Sequence, residues 1–457
     1  MTRCLVCGWA KVEKTRPATI YDCEKCFASS ELLENEEPQV QLLRLASPLG
    51  FRTDFEKGKD PDEENEEGFA TPASNIALDT ELPPQPVGSN AHCSILPKHH
   101  VYVVASDPKR PFKGRSCSTS SGRKTFDNQW IEEQFLTGNE IYPEDSTDEQ
   151  DEDEIALASR KVTDVVFLSP AKTPDGLCLG TREAQGDMQK TAIRAAYFSA
   201  SFILRSVMAS WLDIDPDELR ISSLQSTDDV NGLGVNRIIL SDSLENGAGF
   251  CRKIGEEGLI QLLDALKNND FPDDRPHLEY LTKLLDERHV TACMTAGYCC
   301  LYEYRNQPFH PVLDWRLGLS LLMTMADDEF DCRISGKSSE PLLSDRVLHT
   351  LSVEVANFCA SQGFTPRDAG PLSGFVLPGD WLGRNDDLLV LAVHTLWDCR
   401  QSRAEGLTGR QLDNSLVAEA MLSADLDVAF VDLFNLVRRP NQIKDLIKEE
   451  LRPRDDG

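Results

Sequence analysis

The sequence predicts a mixed α/β fold divided into several domains. Three observations predict it: paired cysteine motifs within residues 1–30, a long amphipathic helix pattern between Ile193 and Leu212, and apolar strand-like segments that alternate with helical ones beyond residue 158. At 457 residues, the chain is long enough for two to four domains with ample cores. We therefore expect a small N-terminal module followed by a larger α/β body.

The N-terminal module contains two Cys-x-x-Cys motifs, formed by Cys4 with Cys7 and by Cys23 with Cys26. Each motif turns two thiolates in the same direction, so the two motifs can close on one tetrahedral ion. A segment of this size has no core of its own, and the metal would supply its folding energy. The spacing predicts a zinc ribbon over residues 1–30. Four protein ligands leave no position for water, which favours a structural site.

Acidic segments separate the predicted domains. The formal charge is −29, which argues against a protein that coats DNA by itself. Acidic residues concentrate in Glu56–Glu67 and Glu144–Glu154. Such segments are usually solvated linkers. We expect acidic linkers over residues 31–90, apart from a short ordered tract at Ser47–Phe55, and over residues 144–157.

A basic segment lies between the two linkers, in a small β-rich region over residues 91–143. From His100 the residues alternate as in a strand. The basic side chains that could contact phosphates are Lys109, Arg110, Lys113, Arg115, Arg123 and Lys124. The alternative is a solvated hairpin beside an acidic body. Few aromatic residues are interleaved, so stacking on single strands is not supported.

The body begins near residue 158 and continues as an α/β domain to residue 330. A buried strand over Lys161–Pro170 is followed by the amphipathic helix, of about 24 residues. The next predicted strand, Asn236–Ser241, precedes a helix that continues to about Lys267. This order resembles half of a parallel α/β unit. Residues 331–457 predict a C-terminal α/β lobe, with strands in LLVLAVHTLWD and DVAFVDLF and helices over 413–424 and 439–450.

The turn NGAGF, Asn246–Phe250, lies where this strand gives way to its helix. The amides of a helix N-terminus can bind an anion. Close packing of the helix on the strand explains the glycines equally well. Both interpretations stay open.

A second cysteine group contains Cys293, Cys299 and Cys300. Its spacing is not standard for zinc, and a fourth ligand would come from His289 or Cys251. The alternative is a cluster of small buried thiols. The sequence leaves the two equally supported.

No catalytic motif stands out. The sequence has no phosphate-binding loop, no His-Glu-x-x-His motif and no nucleophile elbow, so we expect a protein that is not an enzyme. The alternative is a nuclease that binds magnesium through Asp164, Asp242 and Asp314. The N-terminus does not resemble a signal peptide, and no apolar segment reaches the ~18 residues of a membrane span. We expect a cytoplasmic protein.

Several segments together resemble one family. They are SPLGFRTDF, TDVVFLSP, AAYFSASFILRSVMASWLDIDPDEL, SDSLENGAGFCRKI and CCLYEYRNQPFHPVLDWRLGL. They are similar to the helicase-associated zinc-binding domain of MrfA-type DNA-repair helicases, which also occurs as the stand-alone DrmB-like subunits of DISARM anti-phage systems. The specific resemblance covers residues 158–322. It also implies that this chain begins late relative to the family.

In this family the cysteine loop reads Cys-x3-Cys-x2-Cys-Leu, which matches Cys293 and Cys300 but places Gly297 at the middle cysteine. The resemblance implies that Cys299 replaces it or that the metal is lost. It further implies a non-catalytic accessory subunit that binds a partner helicase or translocase and assists its engagement of DNA in an anti-phage complex. A structural adaptor without DNA contact is the remaining alternative.

Overall fold

The computed structural model confirms a mixed α/β chain with several sheets. It describes residues 1–12, 22–29, 39–46, 74–78, 84–105, 112–119, 124–127, 140–141, 152–184, 186–271, 278–332, 334, 347–399 and 414–450. The tract predicted at Ser47–Phe55 lies outside these residues, as does the acidic segment Glu56–Glu67.

The strands are numbered in chain order. They are β1 Thr2–Cys4, β2 Ala10–Lys11, β3 Val40–Leu42, β4 Arg44–Ala46, β5 Ser74–Ala77, β6 Gln85–Val87, β7 Ala91–Ala105, β8 Phe112–Thr119, β9 Lys124–Asp127, β10 Glu140–Ile141, β11 Glu152–Pro170, β12 Leu219–Ile221, β13 Gln225–Asp228, β14 Gly234–Asp242, β15 Pro366–Ala369, β16 Leu372–Leu377, β17 Leu388–Val393 and β18 Asp427–Asp432.

The helices are numbered in the same way. They are α1 Asp187–Leu212, α2 Phe250–Lys253, α3 Leu259–Asn268, α4 Glu279–Leu285, α5 Glu287–Ala292, α6 Trp315–Ala326, α7 Val347–Gln362, α8 Gly379–Leu382, α9 Ser415–Ser423, α10 Leu433–Arg438 and α11 Ile443–Glu450. A π-helical turn, Ile254–Gly258, joins α2 to α3. Short 3₁₀ turns span Pro216–Glu218, Tyr304–Val312 and Pro440–Gln442.

The chain divides into two compact units, each assembled from three segments. Unit 1 comprises residues 1–81, 97–165 and 243–248, and unit 2 comprises residues 82–96, 166–242 and 249–457. Strands β7 and β11 each continue along the chain from one unit into the other. The sequence predicted consecutive domains, whereas the contacts group segments that are distant in sequence.

Unit 1 begins with an antiparallel sheet in the order β2-β1-β3, in which Cys4 pairs with Val40. Strand β8 pairs with β9, β10 and β11, and β11 also pairs with β4 in parallel. A small apolar core includes Met1, Leu43 and Ile76. This unit therefore places the first cysteine group on a short sheet.

The backbone register of β11 and β8 pairs acidic positions with basic ones. Glu152 pairs with Arg115, and Glu154 pairs with Lys113. Residues 152–157 were predicted as the end of an acidic linker, but they form the start of β11. The strand begins earlier than the hydrophobic pattern indicates because its first residues pair with β8.

Unit 2 is built around the predicted long helix. Helix α1 buries sixteen of its 26 residues, including Tyr197, and packs against α6 and β14. A β-carbon on Gly318 of α6 would lie 2.7 Å from the backbone nitrogen of Ala200. Glycine is therefore required where these two helices meet.

The sheet around β14 differs from the expected parallel unit. Strands β12 and β13 both pair with β14 in the antiparallel sense, with Ile221 opposite Leu240 and Ser226 opposite Asn236. The interpretation as half of a parallel unit is wrong for these strands. Parallel pairing requires a crossover of a dozen or more residues, and the segments before and after β13 are too short for one.

The C-terminal part of unit 2 is an α/β lobe, as predicted. Its sheet has the order β15-β16-β17-β18, and β17 and β18 are parallel. Every residue of β17 is buried, and helices α7 and α10 pack against it. Within the described ranges, no helix is both long and apolar enough to cross a membrane.

Candidate metal centres

The four N-terminal cysteines lie together in unit 1. The distance between Cys4 Sγ and Cys26 Sγ is 3.5 Å, and the distance between Cys7 Sγ and Cys23 Sγ is also 3.5 Å. All four sulfurs lie within 4.8 Å of one another. Sulfurs bound to a tetrahedral zinc ion at ~2.3 Å are separated by roughly 3.8 Å. The group therefore has the dimensions of a four-thiolate metal site.

Two backbone turns of the same type hold these sulfurs. The amide of Gly8 donates to the carbonyl of Cys4 at 3.1 Å, and the amide of Phe27 donates to the carbonyl of Cys23 at 3.0 Å. Both donors have left-handed backbone conformations, with φ of 75° at Gly8 and 58° at Phe27. The two motifs thus form matching turns, although only one has glycine at the left-handed position.

Hydrogen bonds among the sulfurs change their proton affinities. The bond with Cys23 raises the pKa of Cys4 to about 12. The bond with the same partner also raises the pKa of Cys7. In turn, hydrogen bonds from Cys4 and Cys7 lower the pKa of Cys23 to about 2. Without a cation, Cys23 therefore carries negative charge while Cys4 and Cys7 keep their protons. A bound metal ion would deprotonate all of its cysteine ligands.

A second group of ligands lies in unit 2, at the end of helix α5. It contains His289, Cys293, Cys299 and Cys300, whose ligand atoms all lie within 4.8 Å of one another. Cys293 Sγ and Cys300 Sγ are 3.7 Å apart. His289 and Cys293 are four residues apart, and the amide of Cys293 donates to the carbonyl of His289 at 2.8 Å. One helical turn thus places both side chains on the same face.

The orientation of His289 fits a metal ligand. Its Nδ1 donates a hydrogen bond to the carbonyl of Leu284 at 2.9 Å, because a carbonyl can only accept. That bond leaves the lone pair on Nε2. Nε2 is buried and has no hydrogen-bond partner among the described residues. A buried acceptor without a partner is costly, and a metal ion in the sulfur group would satisfy it.

Cys299 occupies the space beside position 297. A β-carbon built on Gly297 would lie 3.3 Å from Cys299 Sγ. The sulfur of Cys299 is therefore close to where a side chain at position 297 would begin. Of the two fourth ligands considered from the sequence, the structure brings His289 into the group and leaves Cys251 out of it.

Burial also affects the thiols of this second group. Burial raises the pKa of Cys293, and the neighbouring Cys300 raises it further. Burial likewise raises the pKa of Cys300. The thiols of Cys293 and Cys300 therefore keep their protons at neutral pH unless a bound cation stabilises their thiolate forms.

Trp315, the first residue of helix α6, supports the metal-binding segment. Its indole Nε1 donates to the carbonyl of Cys293 at 2.9 Å, and its ring lies 4.9 Å from that of His289. Its backbone amide donates to the carbonyl of Thr295 at 2.8 Å. Tyr280 Oη donates to the carbonyl of Cys300 at 3.1 Å. Hydrogen bonds therefore hold this segment at Cys293, its first cysteine, and at Cys300, its last.

An ion-pair network anchors the residues that follow the cysteines. Arg205 of α1 is only 7% exposed and pairs with Glu303, and it lies 3.8 Å from Asp217. Asp217 also pairs with Arg305. Breaking a buried ion pair is costly because it leaves an uncompensated charge. The network therefore fixes the segment after Cys300 to the long helix.

The three aspartates considered for a nuclease act as backbone acceptors. Asp242 accepts from the first two amides of helix α2, at 3.1 and 2.8 Å. Asp314 accepts from two amides at the start of α6, at 3.0 and 3.2 Å. Asp164, in unit 1, accepts from the amide of Lys98 at 3.0 Å. Neither potential metal group among the described residues includes these carboxylates.

The NGAGF turn is explained by close packing. A β-carbon on Gly247 would lie 2.9 Å from Asp164 Cγ, and φ at Gly247 is 73°. Since Asp242 already occupies the first amides of α2, these amides are not free for an anion. The packing interpretation therefore accounts for this turn.

The predicted basic residues are only partly within the described chain. Lys113 and Arg115 lie on β8, and Lys124 is the first residue of β9. Lys109, Arg110 and Arg123 lie outside the described residues. Phosphate contact by this segment stays a prediction.

Sequence reasoning did not identify the aromatic residues around the second metal group. Tyr302 and His310 stack with their ring centroids 3.9 Å apart, and Tyr298 contacts both rings edge-on at 5.8 Å. Tyr298 is 73% exposed and Tyr304 is 82% exposed. The signal in the sequence is the density of tyrosines in GYCCLYEYR.

Comparison with known proteins found one distant structural match. No family model and no curated protein matches the chain. A search of solved structures matches the crystal structure of the DUF1998 helicase MrfA bound to DNA, at 13% identity and a TM-score of 0.26. The match covers 56% of this chain and 26% of that helicase. A likeness at this level establishes neither a shared fold nor a shared function, so the family resemblance stays a prediction.

Proposed function

We propose that this chain is a non-catalytic accessory subunit that binds a partner DNA helicase or translocase and helps it engage DNA. The observation that carries the proposal is the second ligand group, where a buried imidazole nitrogen that has no hydrogen-bond partner in the described part of the chain lies within 4.8 Å of three cysteine sulfurs. Four protein ligands leave no position for water or substrate, as in structural metal sites. The helicase as partner and a role in anti-phage defence rest on the sequence resemblance.

Zinc is the metal we propose for both centres. Thiolate and imidazole ligands in tetrahedral groups are typical of zinc sites. Cys4, Cys7, Cys23 and Cys26 would hold one ion. His289, with the three cysteines of the second group, would hold another. Zinc would lower the pKa of each thiol ligand and stabilise the segments that carry them. We expect two zinc ions per chain by elemental analysis.

The second centre also presents a surface suited to a protein partner. We call Met294, Tyr298 and Tyr304 the metal-loop face, since all three are exposed and flank the cysteines. Tyrosine and methionine are enriched at protein interfaces. Tyr298 rests edge-on against the stacked rings of Tyr302 and His310, which limits its freedom. Less side-chain entropy is then lost on binding.

Copurification tests the partner. The tagged chain should retain a helicase encoded beside it, and substituting Tyr298 and Tyr304 with alanine should release that helicase without loss of zinc. Leu422→Ala serves as a matched control, because Leu422 is also exposed but lies on helix α9. A chain that stays monomeric beside the helicase would contradict the proposal.

DNA contact is tested separately. Charge reversal at Lys113 and Arg115 should reduce retention of DNA by the complex and leave helicase binding unchanged. Unchanged DNA retention would favour the structural adaptor. ATP hydrolysis or Mg²⁺-dependent DNA cleavage by the pure chain, lost in Asp242→Ala, would contradict a non-catalytic role.

A further inference from the structure

Unit 2 contains a cavity beside the second ligand group. Its volume is about 80 Å³, and Asp314, Trp315, Arg316, Glu354, His394 and Phe434 are among its lining residues. One ordered water needs roughly 10–15 Å³ of such volume, so the cavity has room for about five to eight heavy atoms. Trp315 contributes both to this cavity and to the support of the metal-binding segment.

The cavity lining is acidic. Asp314, at the start of α6, and Glu354, on α7, are both partly buried and contribute carboxylates. Arg316 is the basic residue of the lining, but its guanidinium donates to the carbonyls of Val290, at 2.6 Å, and Met294, at 3.2 Å. Its charge is held over the Trp315 ring, 5.2 Å from the ring centroid. Arg316 is therefore committed to the protein rather than to a ligand.

His394 adds no opposing charge. It is 8% exposed, and burial lowers its pKa to about 4, so the ring is neutral at physiological pH. Its Nδ1 accepts from the backbone amide of Leu396 at 3.2 Å, which places the ring proton on Nε2. With this histidine neutral and Arg316 bound to backbone carbonyls, the two carboxylates of the lining give the cavity a net preference for positive charge.

The remaining lining is mostly apolar. Leu317, Leu433, Phe434 and Val437 contribute aliphatic and aromatic surface. A cavity of apolar walls with a few converging polar groups is typical of small-molecule sites. The apolar surface favours an alkyl portion of the ligand, and the carboxylates favour a cationic head.

We propose that this cavity binds a small organic cation, a guanidinium or primary ammonium carried on a short alkyl chain. The cationic head pairs with Asp314 and Glu354, and the alkyl portion packs on Leu433 and Phe434. The same chemistry is offered by a free small molecule or by an arginine side chain of a polypeptide. The inference is independent of the proposed helicase partner, because it is tested on the isolated chain.

The test is calorimetric titration of the full chain, loaded with zinc, with butylguanidinium and with butylurea. The two probes have the same shape, and only the first is charged. An eight-atom ligand should bind with a Kd of roughly 0.1–10 mM. We expect saturable binding of butylguanidinium, at least about tenfold tighter than that of butylurea. Equal affinity for the two probes, or no saturable binding of either, would overturn the proposal.

Two variants locate the binding. Asp314→Asn removes the charge but keeps a side chain suited to the helix N-terminus, and Glu354→Gln changes a partly exposed position on α7. Each should weaken butylguanidinium binding about tenfold. Asp286→Asn is the matched control, because Asp286 caps helix α5 in the same way and lies outside the cavity lining. If Asp314→Asn does not fold, Glu354→Gln decides, and unchanged affinity in that variant contradicts the proposal.

A third probe distinguishes the source of the cation. The blocked peptide acetyl-Gly-Arg-Gly-amide carries the same guanidinium within a polypeptide. Tighter binding of the peptide than of butylguanidinium indicates an arginine from a partner chain. Tighter binding of butylguanidinium indicates a free small molecule. Both outcomes support the cationic cavity.

Discussion

Cys299 Sγ lies 3.3 Å from the position that a β-carbon on Gly297 would occupy. A cysteine at position 297 would therefore place its side chain in the part of the second ligand group that Cys299 Sγ occupies. This relationship explains how Cys299 joins the group although position 297 carries no sulfur.

The first prediction follows from this proximity. Cys299→Ser should reduce the bound zinc from two ions per chain to one, because three ligands hold zinc more weakly than four. Combining Gly297→Cys with Cys299→Ser should restore the second ion. Elemental analysis of the purified variants measures both. Cys251→Ser is the control and should keep two ions, and a double variant that stays at one would show that the two positions are not equivalent.

His289→Gln should also remove the second zinc ion, since it takes away the imidazole nitrogen for which the described ranges supply no hydrogen-bond partner. The variant should lose little stability in the zinc-free state, because it also removes an unsatisfied buried acceptor. Thermal unfolding with and without a zinc chelator compares the two states. A variant that retains two zinc ions would exclude His289 as a ligand.

The matching turns of the N-terminal centre predict opposite effects of two substitutions. Phe27 is 80% exposed and adopts a left-handed conformation that costs a non-glycine residue about 1–2 kcal/mol. Phe27→Gly should stabilise this centre by roughly 0.5–1 kcal/mol, after the entropy cost of glycine. Gly8→Ala should destabilise it by about 1 kcal/mol. Hydrogen exchange over residues 1–12 and 22–29 reports both effects, and changes of the same sign would contradict the matching geometry.

Removal of zinc should unfold the N-terminal centre. Its cysteines make up half of the small cluster in which Trp9 and Val40 are buried, so little apolar packing would remain without the ion. A chelator should abolish hydrogen-exchange protection in residues 1–12 and 22–29. Protection of helix α1 in unit 2 serves as the internal control. Retained protection after complete zinc loss would show that packing alone holds this segment.

Asp432 predicts a pH dependence of stability. Burial raises its pKa from 3.8 to about 6, so between these pH values the folded protein holds a proton there that the unfolded chain releases. This contribution to stability is present below about pH 4 and is lost as the pH rises through 6. Asp432→Asn lacks the effect. Its unfolding free energy should therefore rise relative to that of the original protein between pH 4 and 7, by up to about 3 kcal/mol.

Urea unfolding at several pH values measures the difference between Asp432→Asn and the original protein. A difference that stays constant across this range would show that Asp432 keeps an ordinary pKa in the folded state.

The sequence was most informative where the relevant residues are close in the chain. The spacing of Cys4, Cys7, Cys23 and Cys26 was sufficient to predict the first centre, and the periodicity from Ile193 to Leu212 was sufficient to predict α1. His289 could be offered only as one of two fourth ligands. The four-residue spacing between His289 and Cys293 favours His289 as a ligand only when both residues are known to lie at the end of the same helix.

Features made by distant residues could not be predicted. The cavity joins Asp314, Glu354 and His394, and no local pattern relates these positions. The ion pair between Arg205 and Glu303 likewise joins residues that are distant in the chain. The antiparallel setting of β14 was missed because β12 and β13 are short and partly polar, so neither gives a strong strand signal.

The interleaved division of the chain has a consequence for biosynthesis. Residues 243–248 belong to unit 1, but in the chain they follow residues 82–96 and 166–242 of unit 2. A ribosome must therefore deliver nearly 250 residues before the first unit has all of its parts. Neither unit can be excised as one uninterrupted fragment, and no single cut in the chain separates the two units.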